Sequence, residues 1–117
     1  MGSHIVLFSR QYRAALLDYL LGSGETGLAR AYDLGRQAMS DGLGLLLIVR
    51  AHQSAANAIL ESTRDVRETL RRLKASEDFL MEVLSPFEMS YRGYVALLEG
   101  RDKSLKPQPG HRAGRRR

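Results

Sequence analysis

The 117-residue sequence predicts an all-α fold, a four-helix domain. Three observations carry that reading. Apolar residues recur three and four apart through most of the chain, the spacing of one face of a helix. Breaks at Gly22–Gly27, Gly42–Gly44 and Ser62–Thr63 divide the chain into four segments. The last segment, finally, contains Val66, Leu70, Leu73, Glu77, Leu80, Leu84, Phe87, Tyr91, Tyr94 and Leu98, an unbroken alternation of steps of four and three. That is the a/d repeat of a coiled-coil seam, and only Glu77 in it is neither apolar nor aromatic.

In the first segment Phe8, Tyr12, Leu16, Tyr19 and Leu20 share a face, with Arg10, Arg13 and Asp18 between them. This predicts an amphipathic helix of about four turns. Met1–His4 reads as an expression-tag remnant and is set aside. The stretch Gly22-Ser-Gly-Glu-Thr-Gly27 has the glycine content of a phosphate cradle, yet no Lys-Ser/Thr follows and no strand precedes it. It reads as a turn, with Ser23 or Thr26 capping the next helix and Glu25 near that helix's positive end.

The second helix is expected from near Glu25 to Asp41, with Leu28, Ala31, Tyr32, Ala38 and Met39 inward and Gly35 admitting a close neighbour. The third, Leu45 to Glu61, opens apolar on almost every side and continues with small residues, the pattern of a central helix. His52 lies on its Leu45–Val49–Ala56 face and reads as a satisfied core or interface histidine. The fourth helix follows Ser62-Thr63, where either hydroxyl is placed to cap it. Pro86 interrupts its seam without shifting the phase, which predicts a bent helix that does not end there. Glu88 and Arg92 have the i,i+4 spacing of a surface ion pair.

Composition narrows the function. One domain of this length has chain enough for a modest core. No cysteine is present, so no disulfide framework exists and a reducing cytoplasm is the default compartment. No apolar run reaches the length of a membrane span. The net charge of +5 is unevenly placed: residues 1–100 hold 11 Lys/Arg against 12 Asp/Glu, while 101–117 hold 7 against Asp102 alone. Residues 1–100 therefore read as the folded domain and 101–117 as a basic disordered tail. The tail offers non-specific contact with nucleic acid, the alternative function; the near-neutral domain argues against a nucleic-acid surface on the fold itself. No nucleophile stands beside a base, and the other histidines, His4 and His111, lie in the two termini, so no catalytic constellation or metal site assembles. No enzyme activity, metal or cofactor is expected.

Three stretches resemble a known family, the N-terminal regulatory domain of RsbU-type phosphatases, copies of which also precede some histidine kinases. Tyr19-Leu20, Glu25-Thr26, Leu28 and Ala31 resemble its first interhelical turn and the helix after it. Ile48 and His52 are similar to an element of its third helix. Phe79-Leu80-(x)-Glu82-Val83 and Pro86-Phe87-Glu88-Met89-(x)-Tyr91-Arg92-Gly93-Tyr94 resemble its last helix and form the most specific string. The resemblance spans roughly residues 8–98 and implies a helix-exchanged homodimer, similar in architecture to the C-terminal dimer of the circadian regulator KaiA. It also implies a regulatory role: receiving a partner such as the switch kinase RsbT and relaying that contact to a metal-dependent serine phosphatase in a general stress response. Ala29 stands where phosphatase-linked members tend to carry an aromatic, Ser85 where they carry an aliphatic residue, and no phosphatase or kinase domain follows in this sequence.

The function expected is a cytoplasmic, non-catalytic regulatory homodimer that binds a kinase or phosphatase partner and relays the event through the fourth helix. Leu80, Met81, Leu84, Phe87, Glu88, Tyr91 and Tyr94 are the expected partner or dimer contacts. The seam is longer than three short helices can cover, and an apolar stripe of that length left bare is more than monomers tolerate.

Overall fold

The computed structural model describes residues 2–105, with side chains from His4 to Gly100. Helix α1 runs Gly2–Asp18, α2 Glu25–Ser40, α3 Leu45–Glu61 and α4 Val66–Leu105. The described residues form helices and turns and no strands, so the fold is all-α, as the periodicity predicts. Helix α1 begins at Gly2 and thus takes in residues set aside as a tag remnant. Helix α4 runs five residues past Gly100, where the apolar pattern ends. The basic tail expected over 101–117 lies, from Lys106 onward, outside the described residues.

The α1–α2 reversal is built by backbone and not by the side-chain cap the sequence suggests. Tyr19–Ser23 winds as a wider π-type turn that Gly22 breaks at φ 113°. Gly24 follows at φ 62°, and its carbonyl accepts from the amides of Gly27 at 3.0 Å and Leu28 at 3.2 Å. Both φ values suit residues without a Cβ. Neither Ser23 nor Thr26 caps α2: Gly24 holds the N-cap position, and the Ser23 hydroxyl is turned inward against Gly27 with no hydrogen-bond partner. Glu25 does sit in the first turn, beside the positive end of the helix.

At the other end of α2, Gly42 takes φ 75° and donates to the Met39 carbonyl at 3.1 Å, while Leu43 donates to that of Ala38 at 2.9 Å. The pair of bonds is a Schellman motif, with Leu43 folded onto the core. Between α3 and α4 the capping roles differ from expectation. Ser62 and Thr63 both donate their hydroxyls to the Ile59 carbonyl, at 2.8 and 3.0 Å, and so close α3. Asp65 caps α4, its carboxylate accepting the Glu68 amide at 2.9 Å. Glu68 then binds Arg71 at 2.6 Å and Arg72 at 2.8 Å, and Arg71 reaches on to the Leu20 carbonyl at 3.1 Å. The start of α4 is thereby tied to the α1–α2 reversal.

The core is centred on Tyr12, whose ring lies 5.3 Å from that of Phe79, 5.6 Å from that of His52 and 5.7 Å from that of Phe8. Leu16, Leu20, Ile48 and Val83 are the other large apolar side chains that are fully buried. From α2, Ala31, Leu34 and Ala38 are buried; Leu28, Tyr32 and Met39, expected inward, are only half-buried. Gly35 performs the close approach expected of it: a Cβ there would run into the Val83 carbonyl oxygen and come within 3.2 Å of Pro86 Cδ. Helix α4 passes through Pro86 without ending.

Helix α3 departs from the expectation of a central helix. Ile48, His52, Ala55, Ala56 and Ile59 are buried, but Leu45, Leu46 and Leu47 are exposed. The helix buries a single face, and the leucines at its start have nothing over them among the described residues.

Candidate functional site

Helix α4 presents three faces. The first is its own core stripe: Ser76, Phe79, Val83 and Pro86 are buried in steps of three, four and three. Ser76 enters this stripe because its hydroxyl donates to the Leu73 carbonyl at 2.7 Å, within its own helix. The second face is the ten-position seam, whose Glu77, Leu80, Leu84 and Phe87 each follow a core-stripe residue by one and therefore face about 100° away from it. No seam residue is fully buried. Leu80, Leu84 and Phe87 are half-buried, Leu84 and Phe87 lying against the core. The two ends are bare: Val66, Leu70 and Leu73 on one side, Tyr91 (66% exposed), Tyr94 (60%) and Leu98 on the other.

A third face follows from Met81 (69% exposed), which is not a seam position. Steps of four from Met81 reach Ser85, Met89, Gly93 and Leu97, so these five form one stripe. Met89 and Leu97 are exposed as well. Ser85 donates back to the Met81 carbonyl at 3.1 Å, which keeps its hydroxyl close to its own helix. On α2, Tyr32 brings its hydroxyl to 4.0 Å from the Met89 sulfur, placing the side of α2 at the edge of this stripe. Glu88 and Arg92 form the exposed ion pair that the sequence suggests, at 2.9 Å.

The seven residues expected to make contacts thus fall on two faces. Leu80, Leu84, Phe87, Tyr91 and Tyr94 share the seam; Met81 belongs to the methionine stripe; Glu88, paired with Arg92, is exposed between them. Met89, Leu97 and the α3 leucines were missed, although Met81 and Met89 stand eight residues apart, two steps of four, in the sequence.

The titratable groups of the interior serve structure. His52 Nδ1 lies 2.7 Å from the Tyr12 hydroxyl, with the histidine 7% exposed. Burial raises the Tyr12 phenol and lowers the His52 imidazole from their ordinary values, so both are held neutral. Outside the core, at the start of α4, Glu68 is pushed down to about 2 by its hydrogen bonds to Arg71 and Arg72. Among the described residues no three His, Asp or Glu side chains gather to hold a metal ion.

These features define a class: an all-helical domain whose chemistry-bearing surface is apolar helix face. Over residues 10–90 the chain matches the family model described as the N-terminal domain of the phosphoserine phosphatase RsbU, and it belongs to that family. The family is a regulatory domain of a partner-switching phosphatase pathway, distinct from the catalytic phosphatase domain. No curated protein and no solved structure matches the chain. Among the described residues no helix is long and apolar enough to cross a membrane.

Proposed function

We propose that this protein is a cytoplasmic, non-catalytic regulatory homodimer that binds a kinase or phosphatase partner of a stress-response partner switch and relays the contact along α4. The observation that carries this reading is the separation of core stripe and seam. One protomer satisfies α4 with Ser76, Phe79, Val83 and Pro86, and leaves the longer apolar repeat uncovered at both ends. A second copy supplies the complementary surface, since a C2 pair presents the same seam twice. The exposed leucines of α3 add to the face that such a pair covers.

The methionine stripe is then free for the other partner. Met81 and Met89 are unbranched and polarizable, side chains suited to re-packing against a foreign surface. Ser85 lies in the same stripe, and both it and Ala29 on α2 replace bulkier residues of the phosphatase-linked members. A partner recognised here has a different shape from the one those members bind.

Light scattering tests the dimer. The unmodified protein is expected at the mass of two protomers, and Tyr91→Asp with Tyr94→Asp at the mass of one. Both tyrosines are exposed, so the variant should keep the helical circular dichroism of its packed helices and lose at most the contribution of the end of α4. A folded monomer of the unmodified protein at micromolar concentration would remove the basis for a dimeric relay.

A further inference from the structure

A second surface of different chemistry lies on helices α1 and α3. Helix α1 from Gly2 to Leu17 contains no Asp or Glu, and α3 contains none before its last residue, Glu61. Between them these helices carry Arg10, Arg13 and Arg50. The near balance of charge over residues 1–100 therefore hides a segregation, with the carboxylates gathered on α2, α4 and the helix ends.

On this carboxylate-free side, α1 and α3 leave a cleft of about 150 Å³, lined by Ser9, Arg10, Arg13, Ala51, Ser54 and Ala55. Arg10 and Arg13 come from adjacent turns of α1, and neither forms an ion pair or a side-chain hydrogen bond among the described residues. Ser9 and Ser54 bring a hydroxyl from each wall, and Ala51 and Ala55 keep the floor open. Arg50 lies one helical turn from Ser54 on the same side of α3. The larger cleft between α1 and α2, about 300 Å³, differs in kind: Arg30 shares it with Asp33 and Asp41, so its charge is already answered.

We propose that the α1–α3 cleft binds a phosphoryl group, held by the Arg10 and Arg13 guanidiniums and the Ser9 and Ser54 hydroxyls. Guanidinium forks match the oxygens of a phosphate in geometry and charge. The cleft is smaller than the roughly 300–1,000 Å³ of sites that engulf a small molecule, so it takes the phosphoryl group while the rest of the ligand stays outside. That group comes from a phosphomonoester side chain of a protein or from a free phosphate. The site uses no residue of the α4 seam.

Amide NMR titration of the full chain at constant ionic strength tests this, with inorganic phosphate, capped phosphoserine, capped aspartate and a single-stranded oligonucleotide as probes. Saturable shifts are expected at Ser9–Arg13 and Ala51–Ala55 with one or both phosphate probes. Response to capped phosphoserine assigns a monoester ligand; response to inorganic phosphate alone assigns a free anion. Arg10→Gln with Arg13→Gln should weaken binding roughly tenfold or more for each arginine. Ser54→Leu, which fills the cleft without changing charge, should abolish it. Arg10→Lys with Arg13→Lys keeps the charge without the fork and should fall between the double glutamine variant and the unmodified protein. The proposal is overturned by the absence of saturable shifts, by binding that survives both the glutamine pair and Ser54→Leu, or by capped aspartate binding as well as phosphoserine. Displacement of phosphate by the oligonucleotide with a steep salt dependence would equally overturn it, in favour of a polyanion surface.

Discussion

A buried imidazole whose partner is a phenol, and not a carboxylate, is held neutral, and this gives His52 a measurable effect. Desolvation lowers its folded-state value below the ordinary 6.5. The unfolded chain therefore takes up the proton first as pH falls. The stabilisation is complete above about pH 6.5 and is lost progressively below it, down to the lowered folded-state value. Glu68 acts in a separate window: its folded value near 2 lies below the ordinary 4.5, so its contribution is present above that pH and fades below it. Urea denaturation should thus show stability declining as pH falls below 6.5, and His52→Leu should remove most of that decline. The same substitution leaves the Tyr12 hydroxyl buried without its 2.7 Å partner, so stability at pH 7.5 should drop by about 1–3 kcal/mol. An unchanged pH profile in His52→Leu would show that the decline has another source. The apolar face around His52 marks it as an interior residue in the sequence; Tyr12, forty positions earlier, carries no sign of being its partner.

Among the elements, α4 shows both the reach and the limit of pattern reading. Its start at Val66 and its passage through Pro86 follow from the repeat. The face it turns to the core does not, because that stripe contains Ser76, which bonds locally, and Pro86, which a pattern search counts as a breaker. The longest apolar stripe was the more conspicuous and is the less buried. Helix α3 misled in the same way: Leu45, Leu46 and Leu47 look like core in sequence and lie exposed. Capping also eluded the sequence, since serines and threonines near a helix end serve either helix; here Ser62 and Thr63 close α3, and Asp65 opens α4. Gly35 was legible because a glycine on an inward face has few other uses. Gly35→Ala puts a methyl against the Val83 carbonyl and Pro86, so α2 must lift from α4. Such overpacking typically costs about 1–3 kcal/mol. The urea midpoint should fall accordingly; a midpoint equal to that of the unmodified protein would show that the α2–α4 contact is looser than the structure has it.

At the scale of the whole molecule, shape and apolar exposure point the same way. The radius of gyration is 20.0 Å and the extents are 68 × 35 × 22 Å. A compact domain of this length has a radius near 13 Å. The excess comes from α4, whose 40 residues span about 60 Å at the helical rise, well beyond the other three helices. The far end of that helix holds Tyr91, Tyr94, Leu97 and Leu98, all exposed. An isolated helical extension with no tertiary packing is marginal in water. Covering each large apolar side chain adds roughly 1.5–3 kcal/mol, so a dimer that buries several of them stabilises the extension and the protomer together. Folding and association are then linked, and the melting temperature should rise with protein concentration. Hydrogen exchange supplies the local counterpart. Amides from Tyr91 to Leu98 should be protected at high concentration and exchange faster on dilution, while those around Tyr12 and Phe79 respond only to global unfolding. The Tyr91→Asp, Tyr94→Asp variant should exchange rapidly over the same stretch at every concentration. A melting temperature independent of concentration, together with unprotected amides from Tyr91 to Leu98 throughout, would mean that the end of α4 is covered by no second copy, and the seam would then remain as a surface for a different protein.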